Sequence, residues 1–156
     1  MMPKDGQIEL SPFETAAGDI MVLDRPGTSP WMWESWSLPG SKGAAFGASA
    51  RGPFALYACF DSSITTSSGA MLICGRFPAM SCQVSFDSGM VWKLYTIDVS
   101  GSWAQGTLFE VEPDVVLYAY GGRGPGGSSY PWDAREQKMR VDFASRSLRW
   151  VPLDEQ

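Results

Sequence analysis

The feature that most constrains this chain is a series of short apolar runs in which apolar and polar residues alternate. In the segment 138–144, Met139, Val141 and Phe143 point to one side of an extended chain, and charged residues lie between them. Such alternation is typical of a strand with one buried and one solvated face. Clusters of Gly, Pro, Ser and Asp separate the runs and indicate turns. The pattern predicts an all-β fold.

The runs define a set of candidate strands, which are 6–10, 19–24, 31–37, 53–60, 70–77, 80–86, 90–99, 107–112, 115–120, 138–144 and 147–153. Turn signals about every eight to twelve residues favour a two-sheet antiparallel sandwich of the jelly-roll type, or an orthogonal barrel. With 156 residues, the chain is expected to form a single β domain over 1–156. At most one short helix is predicted, near 131–138, where Pro131 fits a first helical position.

The positions of strands within the sheets follow from their faces. The runs 53–60 and 90–99 are apolar on both faces, which predicts central strands. Charges predict edge positions for 6–10, for 107–112 and for the C-terminal hairpin that joins the last two strands through Ser145 and Arg146. A second hairpin is expected at Asp87-Ser88-Gly89, where glycine supplies a positive φ.

The sequence contains no histidine. This removes Ser-His-Asp and Cys-His catalysis and histidine-containing zinc sites. The three cysteines, Cys59, Cys74 and Cys82, lie in or beside apolar runs and are expected to be reduced, buried side chains. A bridge between Cys59 and Cys74 is the alternative. Neither an enzyme nor a metal site is predicted.

The charge balance limits the classes of partner. Twelve basic against seventeen acidic residues give a net charge of -5, which disfavours duplex nucleic acid and anionic membrane surfaces. The first residues lack the apolar segment of a secretory signal, and no apolar run approaches the roughly 20 residues that cross a bilayer. We therefore expect cytoplasmic synthesis, with later incorporation into a particle as an option.

Two polar stretches, 61–69 and 121–131, are predicted to be loops. Within the second, residues 122–127 match the pattern G-x-G-x-x-G. A dinucleotide site also needs a helix that begins at the glycines, and Pro125 and further loop residues follow instead. We predict a surface loop and no cofactor, with an anion-binding nest at Arg123 as the alternative.

Aromatic residues supply the candidate binding surface. In an extended strand Trp31 and Trp33 lie on one face about 7 Å apart, where they either fill the core or stack against a ligand. Trp, Tyr and Arg are enriched at interface hot spots. The candidate binding residues are therefore Trp31, Trp33, Trp103, Arg123, Tyr130 and Trp132.

The sequence is compatible with three functions. The first is a non-enzymatic protein-binding or structural β domain, such as a subunit or surface component of a viral or phage-like assembly or a dedicated neutralising partner. The second is a glycan-binding module that uses exposed tryptophans. The third is a glycosidase, which needs two convergent carboxylates among Glu14, Glu34, Asp61, Asp98, Glu110 and Glu112.

Overall fold

The computed structural model describes residues 7–26, 31–56, 58–76, 79–99, 102–123 and 133–153, and all regular structure in these ranges is β. The strands are β1 (Gln7–Glu14), β2 (Ile20–Pro26), β3 (Trp31–Trp36), β4 (Ala50–Ala55), β5 (Ala58–Thr65), β6 (Met71–Gly75), β7 (Met80–Ser85), β8 (Lys93–Asp98), β9 (Ser102–Glu112), β10 (Val115–Arg123), β11 (Asp133–Asp142) and β12 (Ser147–Val151). The prediction of an all-β chain is confirmed.

The strands form three four-stranded antiparallel sheets. Their orders are β1-β2-β3-β4 for the first sheet, β5-β6-β7-β8 for the second sheet and β12-β11-β10-β9 for the third sheet. Over the described ranges none of these sheets closes on itself. Strand β5 lies against both β1 and β9, so the edges of the first and third sheets flank it.

The second sheet contributes to two separate core clusters, because successive residues of a strand point to opposite sides. Leu72 of β6 belongs to a cluster with Tyr118 and other residues of the third sheet. The next residue, Ile73, belongs to a cluster with Met21 and other residues of the first sheet. All five residues of β6 and all six of β7 are buried. The second sheet is therefore covered by apolar side chains on both sides at these strands.

The C-terminal hairpin forms as the alternating pattern predicts. Met139 and Val141 of β11 are buried in the core shared with the second sheet, and β11 pairs with β12. Arg146 closes the turn with a φ of 51°, and Asp142 accepts a hydrogen bond from the Ser145 N–H at 3.0 Å. At the other predicted hairpin, Gly89 has the expected positive φ, 85°.

The predicted helix near 131–138 is wrong for the residues that the structure describes. Residues 133–138 belong to β11, which pairs with β10 from Val115 to Gly122, and residues 131–132 lie outside the described ranges. The extended backbone of β10 needs hydrogen-bond partners along its length. This pairing outweighs the local helix propensity of a short Ala-Arg-Glu-Gln-Lys stretch.

The predicted central strands are also wrong. The run 53–60 is divided between β4 and β5, which are edge strands of different sheets, and β8 is the edge strand of the second sheet. The chain changes sheets near Leu56, which is fully buried in the core beside the first sheet. The predicted loop 61–69 begins later, because β5 continues to Thr65. The predictions that β1 and β9 are edge strands are confirmed.

The cysteines differ from expectation. Cys74 on β6 and Cys82 on β7 lie directly opposite each other, and their sulfur atoms form a disulfide. Reduced thiols were therefore the wrong expectation for this pair, and the partner of Cys74 is Cys82 rather than Cys59. Antiparallel register brings opposed side chains within bonding reach. The two cysteines are only eight residues apart in the chain, and the pairing depends on the exact register of β6 against β7, which side-chain alternation does not specify.

Candidate functional site

Trp31 and Trp33 lie on the side of the first sheet that faces away from the core. Between them Met32 is fully buried in the core cluster, and Trp36 packs against the same cluster. Trp31 is 39% exposed, and Trp33 is half-buried. The alternation along β3 therefore directs these two indoles outward. Of the two options for this pair, core filling and exposure to a ligand, the structure shows the second orientation.

Arg51 completes this surface from the neighbouring strand β4. Arg51 lies directly opposite Trp33, and its guanidinium carbon is 3.8 Å from the centroid of the Trp31 ring. This is a cation–π contact. We call the group formed by Trp31, Trp33 and Arg51 the tryptophan–arginine face.

A bulge between β3 and β4 sets the position of Arg51. Trp31 pairs with Ala55 whereas Trp33 pairs with Arg51, so the register shifts between the two tryptophans. Inside the shift, Gly52 is buried, and a Cβ atom there would lie 3.0 Å from the Met32 carbonyl oxygen. The absence of a side chain lets β4 approach β3 closely beside the stacked guanidinium.

The outer face of the first sheet continues from Trp33 to the edge strand β1. Asp24 of β2 lies opposite Trp33 and opposite Leu10 on its other side. Asp24 is only 6% exposed, whereas Leu10 is 48% exposed. Arg51 is exposed. On the described part of this face, the exposed charges therefore include the Arg51 cation on β4 and the Glu14 carboxylate at the end of β1.

Glu34 lies on the opposite, core-facing side of β3. It pairs with Leu23, which is fully buried, and opposed residues of a sheet share a face. Burial raises the pKa of Glu34 above its usual 4.5. The carboxyl group is therefore held in a place that favours its neutral form.

This position predicts a small gain in stability for Glu34→Gln at neutral pH. Because the folded state raises this pKa, it binds more protons than the unfolded state, and stability falls as pH rises from about 4.5 through the raised value. We expect the Tm at pH 7 to rise by up to about 2 °C, with no difference from wild type at pH 4. The exposed Glu136→Gln is the control, and a lower Tm for Glu34→Gln at pH 7 would contradict the assigned face.

A trough made of two adjoining cavities runs along β1. One cavity of about 540 Å³ is lined by Leu10, Pro12, Ser63, Thr107, Leu108 and Phe109. A second, of about 440 Å³, is lined by 12–16 and 65–69. Both share Pro12. The trough consists of these two cavities: β1, β5 and β9 line the first, and the end of β1, the end of β5 and the turns that follow these two strands line the second.

Two acidic residues form hydrogen bonds with the turn at Ser67 and Ser68, which lies at the polar end of this trough. Glu110 accepts hydrogen bonds from the N–H groups of Ser67, at 2.8 Å, and Asp114, at 2.7 Å. Asp114 in turn accepts one from the Ser68 N–H at 3.1 Å. Burial opposes ionisation of Asp114, but hydrogen bonds from Ser68 and Thr66 lower its pKa below the usual 3.8. The Asp114 carboxylate is therefore held in its charged form beside the cavity.

The other predicted binding residues are not joined to the tryptophan–arginine face by the described structure. Trp103 and Arg123 lie near the ends of β9 and β10, and their side chains lie outside the described part. Tyr130 and Trp132 lie outside the described ranges altogether. Sequence reasoning missed Arg51, because its proximity to Trp31 depends on the bulge between β3 and β4.

The described residues contain no group of three or more His, Cys, Asp or Glu side chains that could hold a metal ion. Within the same ranges no helix has the length and apolar character needed to cross a membrane. Comparison of the chain with protein-family models, with curated proteins and with solved structures finds no match.

Proposed function

We propose that this protein is a non-enzymatic binding domain that contacts a protein partner through the tryptophan–arginine face. The observation that carries the proposal is the outward Trp31 ring with the Arg51 guanidinium stacked on it at 3.8 Å. Exposed tryptophan and arginine are the residue types that dominate binding energy at protein interfaces. Their position on adjacent paired strands also limits the conformational entropy lost on binding.

Arg51 favours a protein partner over a glycan. Sugar rings bind tryptophan by stacking on an open ring face, and in Trp31 one face is taken by the guanidinium. A guanidinium that stacks through its plane still directs its N–H groups outward in that plane, where a carboxylate can accept two of them. The complementary surface is therefore one with an acidic group beside an apolar one.

The carboxylates that could serve a glycosidase support an enzymatic role less well than the tryptophan–arginine face supports a binding role. The cavity of about 440 Å³ is lined by one carboxylate, that of Glu14. Glu112 lies near two cations, with Lys138 at 3.5 Å and Arg140 at 4.0 Å, and Asp98 pairs with Arg135 at 2.8 Å. A glycosidase needs two carboxylates facing each other across one cleft. A binding role needs no such pair.

A sandwich arrangement of the second and third sheets is part of this proposal. It is supported by the shared cluster of buried residues from both sheets. Stacked sheets with a packed interior form a rigid support for an exposed face. Such a domain is suited to serve as a subunit or surface component of a larger assembly, including a viral or phage-like particle, or as a dedicated binding partner.

The test compares three variants in quantitative co-purification from the source organism, followed by Kd measurement with the protein that is recovered. We expect Trp31→Ala and Arg51→Ala each to raise Kd by about 30-fold, which corresponds to about 2 kcal/mol at a hot spot. Phe46→Ala is the control, because Phe46 is 41% exposed, nearly as much as Trp31, and lies outside the face.

Two results would count against the proposal. If Phe46→Ala weakened binding as much as the face variants, the effect would be general rather than local. If no protein bound, but tryptophan fluorescence responded to an oligosaccharide and the response was lost in Trp31→Ala, the glycan alternative would replace it.

A further inference from the structure

The trough beside β1 has an apolar end and an acidic end. At the apolar end, Leu10 and Phe109 are 48% and 51% exposed and line the cavity of about 540 Å³. At the other end Glu14 lines the cavity of about 440 Å³. Leu10, Pro12 and Glu14 are all exposed, while Ser11 and Phe13 between them are buried. The exposed side of β1 therefore changes from apolar at Leu10 to acidic at Glu14 along the trough.

The negative charge of this end exceeds that of Glu14 alone. Glu110 and Asp114 bind the backbone of Ser67 and Ser68, which line the same cavity. The hydrogen bonds from Ser68 neutralise no charge and help to keep Asp114 ionised, while the nearby Arg140 cation offsets part of the Asp114 charge. The chain as a whole has a net charge of -5. Attraction of a cationic group to this end is the electrostatic consequence.

The spacing of residues along β1 indicates how far apart the apolar and the cationic group of a matching ligand should be. Leu10 and Glu14 are four residues apart on one strand, and a strand rises about 3.3 Å per residue, so the two ends are separated by about 13 Å. An extended peptide spans this length with side chains at positions i and i+4, which lie on the same side. Ser63 and Thr107 add hydroxyl groups to the lining of the apolar cavity, and the Ser63 hydroxyl donates to the Pro12 carbonyl oxygen at 3.4 Å.

We propose that the trough binds an extended peptide segment of a partner protein that carries an apolar residue and, four residues away, a lysine or arginine. The apolar side chain lies between Leu10 and Phe109, and the cation lies beside Glu14. This site lies on the same side of the first sheet as the tryptophan–arginine face but includes none of Trp31, Trp33 and Arg51, so its failure and the failure of the proposed function are distinguishable.

The test uses fluorescence anisotropy with labelled synthetic peptides. One peptide has leucine and lysine four residues apart with serine and threonine between them, and a second has the two in reverse order. Two controls replace lysine by glutamate or leucine by alanine. We expect saturable binding of one of the first two peptides, at least about tenfold weaker binding of the controls, and weakening by added salt.

Variants of the protein then locate the site. Glu14→Lys and Phe109→Ser are each expected to weaken binding at least about tenfold. Glu136→Lys and Phe46→Ser are the matched controls, both at exposed positions outside the trough, and should bind as wild type, as should Trp31→Ala. Absence of binding by both peptides, equal binding of the glutamate peptide, or loss of binding in Trp31→Ala but not in Glu14→Lys would overturn the proposal.

Discussion

Replacement of Gly106 by alanine is expected to lower the free energy of unfolding by about 3 kcal/mol, at the upper end of the usual cost of overpacking a core. A Cβ atom at Gly106 would lie 2.5 Å from three atoms of the Tyr118 side chain. Tyr118 is only 1% exposed, stacks on Tyr120 with ring centroids 5.2 Å apart and donates its O–H to Met80 Sδ at 3.4 Å. The ring would therefore have to shift against packed neighbours to make room for the methyl group.

Thermal unfolding measures this effect, with an expected decrease in Tm of about 10 °C for a chain of this length. Gly47→Ala is the control, since its Cβ would meet nothing closer than 3.8 Å. In a double-mutant cycle, Gly106→Ala should cost much less when Tyr118 is already leucine, because the clash is removed. Additive costs in that cycle would show that the close approach of Gly106 to Tyr118 is not the cause.

Asp98→Ala should lower the free energy of unfolding by about 2 kcal/mol. The substitution removes a nearly buried carboxylate that accepts hydrogen bonds from two donors. The Asp98 side chain is 7% exposed and lies 2.8 Å from Nη1 of Arg135. It also accepts a hydrogen bond from the Tyr120 O–H at 3.2 Å. Asp98 belongs to the second sheet, and its partners belong to the third. The group therefore links the two sheets at the β8 edge.

The same group predicts an alkaline transition. Burial, together with the neighbouring Asp98 charge, raises the pKa of Tyr120 to about 12. Because this pKa is higher in the folded than in the unfolded state, the protonated Tyr120 stabilises the fold. This contribution to the free energy of unfolding is complete below the ordinary pKa of 10.0 and is lost as the pH rises to about 12. In Asp98→Ala the absorbance titration of this tyrosine should shift to lower pH. Asp98→Asn, which keeps an acceptor but no charge, should fall between alanine and wild type; no shift in either variant would contradict this account.

Alternation predicted the strands best where one side of the strand is buried and the other is solvated. β11 is an example, because Met139 and Val141 are buried between polar neighbours that are not. In β12 Leu148 is buried, but Trp150, predicted for the same side, is 44% exposed. The same pattern failed at β8. Tyr95 and Ile97 pack against the core, while Leu94 remains 45% exposed, so apolar residues on both faces did not imply cover on both faces.

For the candidate site, the sequence was sufficient to place Trp31 and Trp33 on one face, since residues two apart in any strand share a side. It was not sufficient to decide whether that side faced the core. Met32 and Trp36 took the core side, and this depended on the packing of the first sheet against β6. Arg51 joined the pair only through the bulge in the pairing of β3 with β4.

The sequence by itself determined that the chain forms antiparallel strands, because side-chain alternation and turn residues act over a few neighbouring positions. Tertiary structure alone decided that β4, β5 and β8 are edge strands and which side of β3 faces solvent. The cavity of about 540 Å³ in the trough also exists only where β1 and β9 flank β5. These features depend on the register and order of strands distant in the chain, and the free energy that selects them comes from packing between whole sheets.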